Sequence, residues 1–168
     1  MNTVYLSIGS NLGDRLKFIQ TAVSKLAHSQ NIVIQEGSSL YETAPQNFIH
    51  QPAFFNIVLK IATSLPPLSL LQHCQAIEQE IGRVFLFRFG PRCIDIDMLS
   101  YNERVLQTER LQLPHPRLFE RNFVLIPLAE ILNQPTFYQK NIAQYIAQNQ
   151  GQSVVKINNK HVYLDKKM

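Results

Sequence analysis

The chain has 168 residues, the length of one ordinary globular domain. Hydrophobic residues make up 45% of it and charged residues 17%, a balance that excludes intrinsic disorder. No transmembrane helix is predicted, because the sequence contains no apolar run long enough to span a membrane. No signal peptide is predicted, because the N-terminus has no basic region followed by an apolar one. Cys74 and Cys93 fit neither a disulfide scaffold nor a paired-cysteine zinc site, so we expect a cytoplasmic protein.

The net charge of +4 is mild, but the arginines are unevenly placed. Seven of the eight arginines lie between positions 83 and 121, where none of the eight lysines falls. A guanidinium group donates to phosphate or carboxylate in a fixed orientation, whereas an ammonium group is a point charge. This bias favours oriented anion recognition about as much as an ordinary solvated basic face.

The apolar periodicity alternates between strand and helix along the first hundred residues. In chain order it predicts strand 3–9, helix 11–28, strand 32–41, loop 43–52, strand 53–63, helix 68–82 and strand 93–101. Ser10 or Asn11 is the expected N-cap of the first helix, and Gly37 is an expected kink. The order β-α-β-β-α-β is typical of a ferredoxin-like α+β sandwich.

A C-terminal extension is predicted to follow this core. It comprises a helix over 121–132, a second helix over 141–148 and a hairpin over 153–164 that turns at Asn158-Asn159. No internal repeat and no linker-like run divides the chain. We therefore expect a single domain over residues 1–168.

Asp95 and Asp97 form the sharpest local feature. On a strand they share one face, with Cα atoms roughly 6–7 Å apart, so their carboxylates can converge on a cation. Mg²⁺ prefers such oxygen ligands and also binds substrate phosphates. Arg83, Arg88 and Arg92 precede the pair, an arrangement that suits a nucleotide triphosphate. An exposed strand face with two solvated aspartates, or a salt-bridge network, would use the same residues.

Two further segments carry candidate binding residues. Phe54 and Asn56 share one face of a strand, and an aromatic plane beside an amide suits a flat heterocycle. From this strand alone, a cross-strand aromatic contact with a surface asparagine is favoured. His115 lies in a proline-stiffened segment and can bind phosphate or act as an acid, although a structural loop histidine is the commoner case. Segment 9–15 lacks the ending of a Walker A motif, which favours a capped helix start.

Five segments, taken in order, resemble the 6-hydroxymethyl-7,8-dihydropterin pyrophosphokinase family over about residues 4 to 131. They are GSNLGDR (9–15), SLYETAP (39–45), QP (51–52) with Asn56, GR (82–83) with RFGPRCIDID (88–97), and LPHPR (113–117) with Arg121 and Phe123. The resemblance implies transfer of the β,γ-diphosphoryl group of ATP to the hydroxymethyl group of a reduced pterin, with release of AMP, in folate biosynthesis. It implies no nucleic-acid or membrane partner, and we predict a monomer.

The resemblance also implies roles for individual residues. Asp95 and Asp97 would hold two Mg²⁺ ions, and Arg83 and Arg92 would be the catalytic arginines. The ATP site would contain Gln75, Glu78, Arg110, His115 and Arg121. The pterin site would contain Phe54 and Phe123 on the two ring faces, Thr43, Ala44, Pro45 and Asn56 at the ring edge, and Phe89.

Departures from the family pattern are concentrated in loops. The family usually has tryptophan at Phe89 and arginine at Phe85, so one phosphate contact is in question. Glycine and aspartate are common at Asn47 and Ala53. We predict that loop 83–89 is mobile without ligands and closes over the substrates.

Three other functions compete with this interpretation. A ferredoxin-like RNA-binding module would explain the basic charge and the sheet aromatics, but the RNP1 pattern is missing and the two aspartates would repel a phosphate backbone. A ligand-sensing domain of similar topology would not need the aspartate pair beside arginines. A metal-dependent phosphodiesterase would leave Phe54 and Asn56 unexplained.

Overall fold

A computed structural model describes residues 1–157 of the chain. Its principal strands are β1 (Asn2–Ser10), β2 (Ile32–Gly37), β3 (Tyr41–Thr43), β4 (Phe54–Thr63) and β5 (Asp95–Tyr101). Short strands follow as β6 (Leu106–Gln107), β7 (Gln112–Leu113), β8 (Thr136–Phe137), β9 (Lys140–Asn141) and β10 (Val154–Lys156). The helices are α1 (Arg15–Ala27), α2 (Pro67–Ile81), α3 (Asn122–Ile131) and α4 (Ile142–Gln148).

An antiparallel sheet with the order β10-β3-β4-β1-β5 forms the centre of this α+β fold. The long strand β4 pairs with β3 along its first residues and with β2 along its last ones. Helices α1 and α2 cover one face, where Ile57, Leu59 and Ile61 of β4 are buried. Helices α3 and α4 cover part of the other face, over Val58. Because both faces of β4 are covered, its sequence is apolar almost throughout.

The structure corrects several predicted boundaries. The strand predicted over 32–41 is two strands, because the chain leaves the sheet after Gly37 and returns at Tyr41. Thr43, predicted to begin a loop, is the last residue of β3. The strand predicted from position 93 begins at Asp95.

The first helix begins later than its predicted N-cap. Asp14, not Ser10 or Asn11, caps α1, and its carboxylate accepts from the backbone N–H of Lys17 at 3.2 Å. Ser10 ends β1, and Asn11 instead exchanges hydrogen bonds with the backbone of Arg92. Ser10 and Asn11, which local sequence favours as helix caps, are therefore held by contacts with distant parts of the chain.

Only the first strand of the hairpin predicted over 153–164 lies within the described residues. Val154–Lys156 form a strand, but its partner is β3, at the edge of the main sheet. The predicted turn at Asn158-Asn159 lies outside the described residues. Within residues 1–157, no helix has the length and apolar content needed to cross a membrane.

Candidate functional site

A pocket opens at one end of the sheet, where β1, β4 and β5 lie side by side. Two segments flank it, residues 44–53 before β4 and residues 82–94 before β5. The pocket is lined by Ser7, Gly9, Thr43, Ala44, Pro45, Gln46, Asn47, Gln51, Phe54, Asn56, Phe89, Arg92, Asp95, Asp97, Arg121 and Phe123. All seven residues predicted to bind the pterin are thus brought to one pocket, together with both predicted metal ligands.

Asp95 and Asp97 stand on the same face of β5, as the alternation predicted. Their neighbours on β1 are Gly9 and Ser7, which pair with them in register. The carboxylate of Asp95 lies 2.8 Å from Nη1 of Arg83 and 3.1 Å from Nη2 of Arg92. Both predicted catalytic arginines therefore converge on one predicted metal ligand, although Arg83 does not line the pocket itself.

Asp97 has no such close partner among the ion pairs of the described residues. Burial and the neighbouring charge of Asp95 raise its pKa to about 7, while the more distant Arg121 and Arg92 oppose this shift. Burial and the charge of Asp95 thus disfavour the ionised form of Asp97. A cation placed between the carboxylates would lower that pKa and relieve the repulsion.

Glu78 lies behind the aspartate pair instead of in the pocket. It is 7% exposed, and its Oε1 accepts from the backbone N–H of Ile96 at 2.6 Å and lies 2.9 Å from Nη1 of Arg83. Burial raises the pKa of this carboxyl, although both contacts favour the charged form. Because Ile96 stands between the two aspartates, Glu78 fixes the strand segment that presents them.

Two arginines offer unpaired donors to the pocket. The Nε atoms of Arg92 and Arg121 are buried and have no hydrogen-bond acceptor within the described part of the chain. The guanidinium groups lie over aromatic rings, Arg92 at 5.0 Å from the Phe54 centroid and Arg121 at 5.5 Å from that of Phe123. Burial, followed by repulsion from Arg117, lowers the pKa of Arg121. A bound anion would satisfy both donors and relieve this repulsion.

The opposite side of the pocket presents a polar edge between aromatic side chains. Asn56 is 3% exposed, and its amide donates to Oγ1 of Thr43 at 2.6 Å. Gly9 leaves the space for this amide, since a Cβ at position 9 would lie 2.5 Å from Oδ1 of Asn56. Phe54 and Phe123 also line this pocket. Aromatic surface beside fixed hydrogen-bonding groups suits a flat heterocycle with a polar edge.

Phe89 is held at the pocket by a bridge between the two flanking segments. Its backbone has a φ of +60°, a left-handed conformation that is uncommon outside glycine. The Gln51 amide donates to the carbonyl groups of Phe89, at 2.9 Å, and Phe48, at 2.7 Å. Asn11 in turn donates to Oε1 of Gln51 at 2.9 Å. These two amide side chains therefore connect the segments that flank the pocket.

Besides Glu78, three predicted ATP-site residues are outside the pocket lining. Gln75 is exposed on α2, and Arg110 is exposed between β6 and β7. His115 is half-buried, and its Nδ1 accepts from the backbone N–H of Arg117 at 3.1 Å. Burial and the nearby Arg121 and Arg117 lower the pKa of His115 to about 4, so the ring is neutral at pH 7 and can donate through Nε2. It is therefore a poor candidate for a phosphate-binding cation.

The sequence patterns assign no binding or catalytic role to several residues that line the pocket. Ser7 and Gly9 lie on β1, and alternation alone could have placed them on one face. What puts that face in the pocket is the register with β5, which only the folded sheet determines. Gln46 lines the pocket from a loop, and no periodic signal marks it.

The loop that follows α2 has an apolar, exposed tip. Gly82 ends the helix with a φ of +110°, a conformation that favours glycine, and the chain then turns away. Phe85 is 76% exposed and Leu86 55% exposed. Phe87 meets Phe48 edge-on, with centroids 5.1 Å apart. The tip is thus not buried against the body of the protein, while its mobility stays a prediction.

Comparisons with known proteins identify relatives across most of the chain. Residues 5–133 match the family model described as 7,8-dihydro-6-hydroxymethylpterin-pyrophosphokinase. A Bacillus subtilis protein named 2-amino-4-hydroxy-6-hydroxymethyldihydropteridine pyrophosphokinase is 44% identical over 79% of this chain and 80% of its own length. A protein of the same name from Aquifex aeolicus is 41% identical over 89% and 93%.

Other relatives are longer proteins. The folic acid synthesis protein fol1 of Pneumocystis carinii is 49% identical over 76% of this chain, which spans only 17% of that protein. Among solved structures, an HPPK-DHPS in complex with substrates matches with a TM-score of 0.69 at 15% identity, over 88% of this chain and 43% of the other. Wild-type Plasmodium falciparum HPPK-DHPS matches with a TM-score of 0.68 at 15% identity, over 88% and 44%. At this identity the structural likeness concerns the fold alone.

Proposed function

The chain belongs to the 7,8-dihydro-6-hydroxymethylpterin-pyrophosphokinase family, and from this premise we propose that it transfers diphosphate from ATP to the hydroxymethyl group of 6-hydroxymethyl-7,8-dihydropterin. AMP is the second product, and the reaction belongs to folate biosynthesis. The observation that carries the proposal is that one pocket holds two sets of groups. Phe54, Asn56 and Phe123 lie there beside the aspartate pair and the unpaired Nε of Arg92.

The aromatic side of the pocket is the proposed pterin site. Phe54 and Phe123 contact the two ring faces, and Phe89 covers the entrance. Asn56 and Thr43 pair with the polar edge, together with backbone groups of Ala44 and Pro45. Placing a polar edge against matching groups matters because each unmatched buried group costs about 1–3 kcal/mol.

The charged side of the pocket is the proposed triphosphate site. Arg92 and Arg121 contact phosphate oxygens with donors that have no acceptor within residues 1–157. Arg83 moves from Asp95 to the phosphates when substrate binds. Gln75, Glu78, Arg110 and His115 complete the predicted ATP-site set, with His115 as a neutral donor. These groups hold the β-phosphorus in line with the hydroxymethyl oxygen and stabilise the charge that develops there.

The donor set of the site fits magnesium that arrives with its nucleotide. No group of three or more His, Cys, Asp or Glu side chains within the described residues is placed to hold a metal. Mg²⁺ needs only one or two carboxylates when substrate phosphates supply further ligands. Asp95 and Asp97 are therefore the proposed ligands of two Mg²⁺ ions, which would neutralise phosphate charge.

Three finer points belong to the same proposal. The strand order supports a ferredoxin-like core. Strands β2 and β3 both pair with β4, and the sheet continues through β1 to β5. This is the antiparallel arrangement that β-α-β-β-α-β connectivity produces. We also propose that the protein acts as a monomer in the cytoplasm. The RNA-binding alternative finds no support in the comparisons.

The test is the release of AMP from ATP by the purified chain with Mg²⁺, with and without the pterin alcohol. We expect AMP only when the alcohol is present, and none when a 6-methyl pterin without the hydroxyl replaces it. Equal AMP release with and without the alcohol would indicate a nucleotide hydrolase instead. Failure to form AMP with both substrates and Mg²⁺ would refute the proposal.

Two variants distinguish a specific role of Asp95 from the general effect of removing one negative charge. Asp95→Asn should abolish AMP release, because it removes a charge from the aspartate pair. Glu109→Gln removes one charge from an exposed position and should leave the rate unchanged. Equal rates for the two variants would remove Asp95 from the site.

A further inference from the structure

The C-terminal extension contacts the segments that form the pocket. It lies beyond the residues that match the family model, which end at position 133. The contact is made by residues 149–154, here called the clasp, which follow α4 and end at Val154, the first residue of β10. The clasp touches both walls of the proposed pterin site. One wall is the start of α3, which carries Phe123, and the other is the end of β3 with Ala44.

At the first wall, Gln152 replaces a missing helix cap. Helix α3 begins at Asn122, and the residue before it, Arg121, makes no side-chain capping bond. The backbone N–H of Asn122 donates instead to Oε1 of Gln152 at 2.8 Å. Nε2 of Gln152 donates to the carbonyl of Glu120 at 2.9 Å. One amide thus binds the backbone on both sides of Arg121, immediately before Phe123.

Asn149 and Asn122 reinforce this wall. Nδ2 of Asn149 donates to the carbonyl of Phe119 at 2.9 Å. Nδ2 of Asn122 donates to the carbonyl groups of Asn149, at 3.0 Å, and Ile146, at 3.1 Å. Asn122 is only 5% exposed, so its amide depends on these partners.

At the second wall, the next residues of the clasp continue the sheet. The backbone N–H of Ala44 donates to the carbonyl of Ser153 at 3.1 Å, and Val154 pairs in register with Thr43. Gln152 and Ser153 are neighbours in the chain, so a span of two residues connects both walls.

We propose that the clasp sets the width of the pterin site, with Gln152 as its positioning residue. This inference rests on the proposed function. Phe123 and Ala44 lie on separate elements, and the clasp ties the backbone beside one to the backbone of the other. A shift of α3 displaces the ring of Phe123 directly, whereas the long side chain of Arg121 can readjust. Loss of the clasp therefore weakens the pterin more than ATP.

The experiment compares Gln152→Ala with the unsubstituted chain in steady-state AMP release. Losing a helix cap and its paired bond should raise the KM for the pterin alcohol roughly fivefold to tenfold, with the KM for ATP changed less than about twofold. Gln152→Glu keeps an acceptor for the N–H of Asn122 and should recover part of the loss. Gln148→Ala, at an exposed glutamine at the end of α4 and outside the clasp, is the matched control and should match the unsubstituted chain.

The outcomes distinguish the clasp from the proposed function. An unsubstituted chain that releases no AMP would overturn the function and the inference that rests on it. An active chain whose Gln152→Ala variant keeps its pterin KM would overturn the clasp alone. Equal rises in both KM values, or a loss that Gln152→Glu does not recover, would also overturn it, because general loosening would then explain the effect. Calorimetric titration of Gln152→Ala with the pterin alcohol gives the same comparison without turnover.

Discussion

Replacing Glu78 with alanine should destabilise the protein through one backbone group. The carboxylate accepts from the N–H of Ile96, and both groups are buried behind the sheet. Alanine leaves that N–H without an acceptor, which costs about 1–3 kcal/mol, and removing one buried methylene adds about 0.8 kcal/mol. The sum is roughly 3 kcal/mol, which lowers the Tm of a domain of this size by roughly 6–12 °C.

Glu78→Gln separates the hydrogen bond from the charge. Glutamine keeps an oxygen to accept from the N–H of Ile96, and Arg83 keeps its pair with Asp95. Burial raises the pKa of the native carboxyl, so the native state disfavours ionisation and loses stability as pH rises through that pKa. An uncharged amide avoids this cost, and we expect Glu78→Gln within about 1 kcal/mol of the unsubstituted chain at pH 7.

Thermal and urea unfolding of the two variants is the assay. Glu80 provides the control, because it lies on the same helix and its carboxylate forms an exposed pair with Lys25 at 2.7 Å. Glu80→Ala should leave the Tm unchanged within error, since an exposed pair contributes little. Equal Tm losses for Glu78→Ala and Glu78→Gln would show that the ion pair, not the acceptor for Ile96, accounts for the stability.

Four further outcomes are expected. Asp97→Asn should lower kcat by orders of magnitude without lowering the Tm, because the amide avoids the cost of a buried ionised carboxyl. Near-normal activity of this variant at saturating Mg²⁺ would exclude Asp97 as a ligand. Asn56→Ala should weaken the pterin alcohol strongly and ATP little in separate calorimetric titrations, and equal effects on both would remove it from the pterin site. The pKa of His115 is about 4, below its ordinary value of 6.5. As pH falls, the unfolded state binds the proton first, so the free energy of unfolding decreases between about pH 6.5 and pH 4. His115→Gln should reduce this pH dependence when the free energy of unfolding is measured by urea unfolding. Loop 83–89 should lose hydrogen-exchange protection when ligands are absent, and equal protection with and without both ligands would argue against a lid.

Local patterns were sufficient for the regular elements of the core. Alternation predicted that Asp95 and Asp97 share one face of a strand, and the same rule placed Phe54 beside Asn56. Helix periodicity located α2, since its apolar positions recur along one face. These properties depend on a few neighbouring residues, so they can be inferred before the fold is known.

Boundaries were less predictable where distant residues supply the partner. Asn11 has the chemistry of a helix cap, yet its side chain bonds to Arg92 and Gln51, both far along the chain. The capping signal was local, and the competing bonds were not. The sequence predicts a kink at Gly37, whereas the chain leaves the sheet between β2 and β3.

The sequence by itself determined the residue types and the strand faces of the candidate site, and its motifs pointed to the family. Only the tertiary structure decided which of these residues meet. Glu78 lies behind the aspartates because α2 packs against β5, and Gln152 reaches Asn122 across 30 residues because β10 pairs with β3. Such contacts follow from strand register and helix packing, which are settled by burial over the whole chain and not by any local pattern.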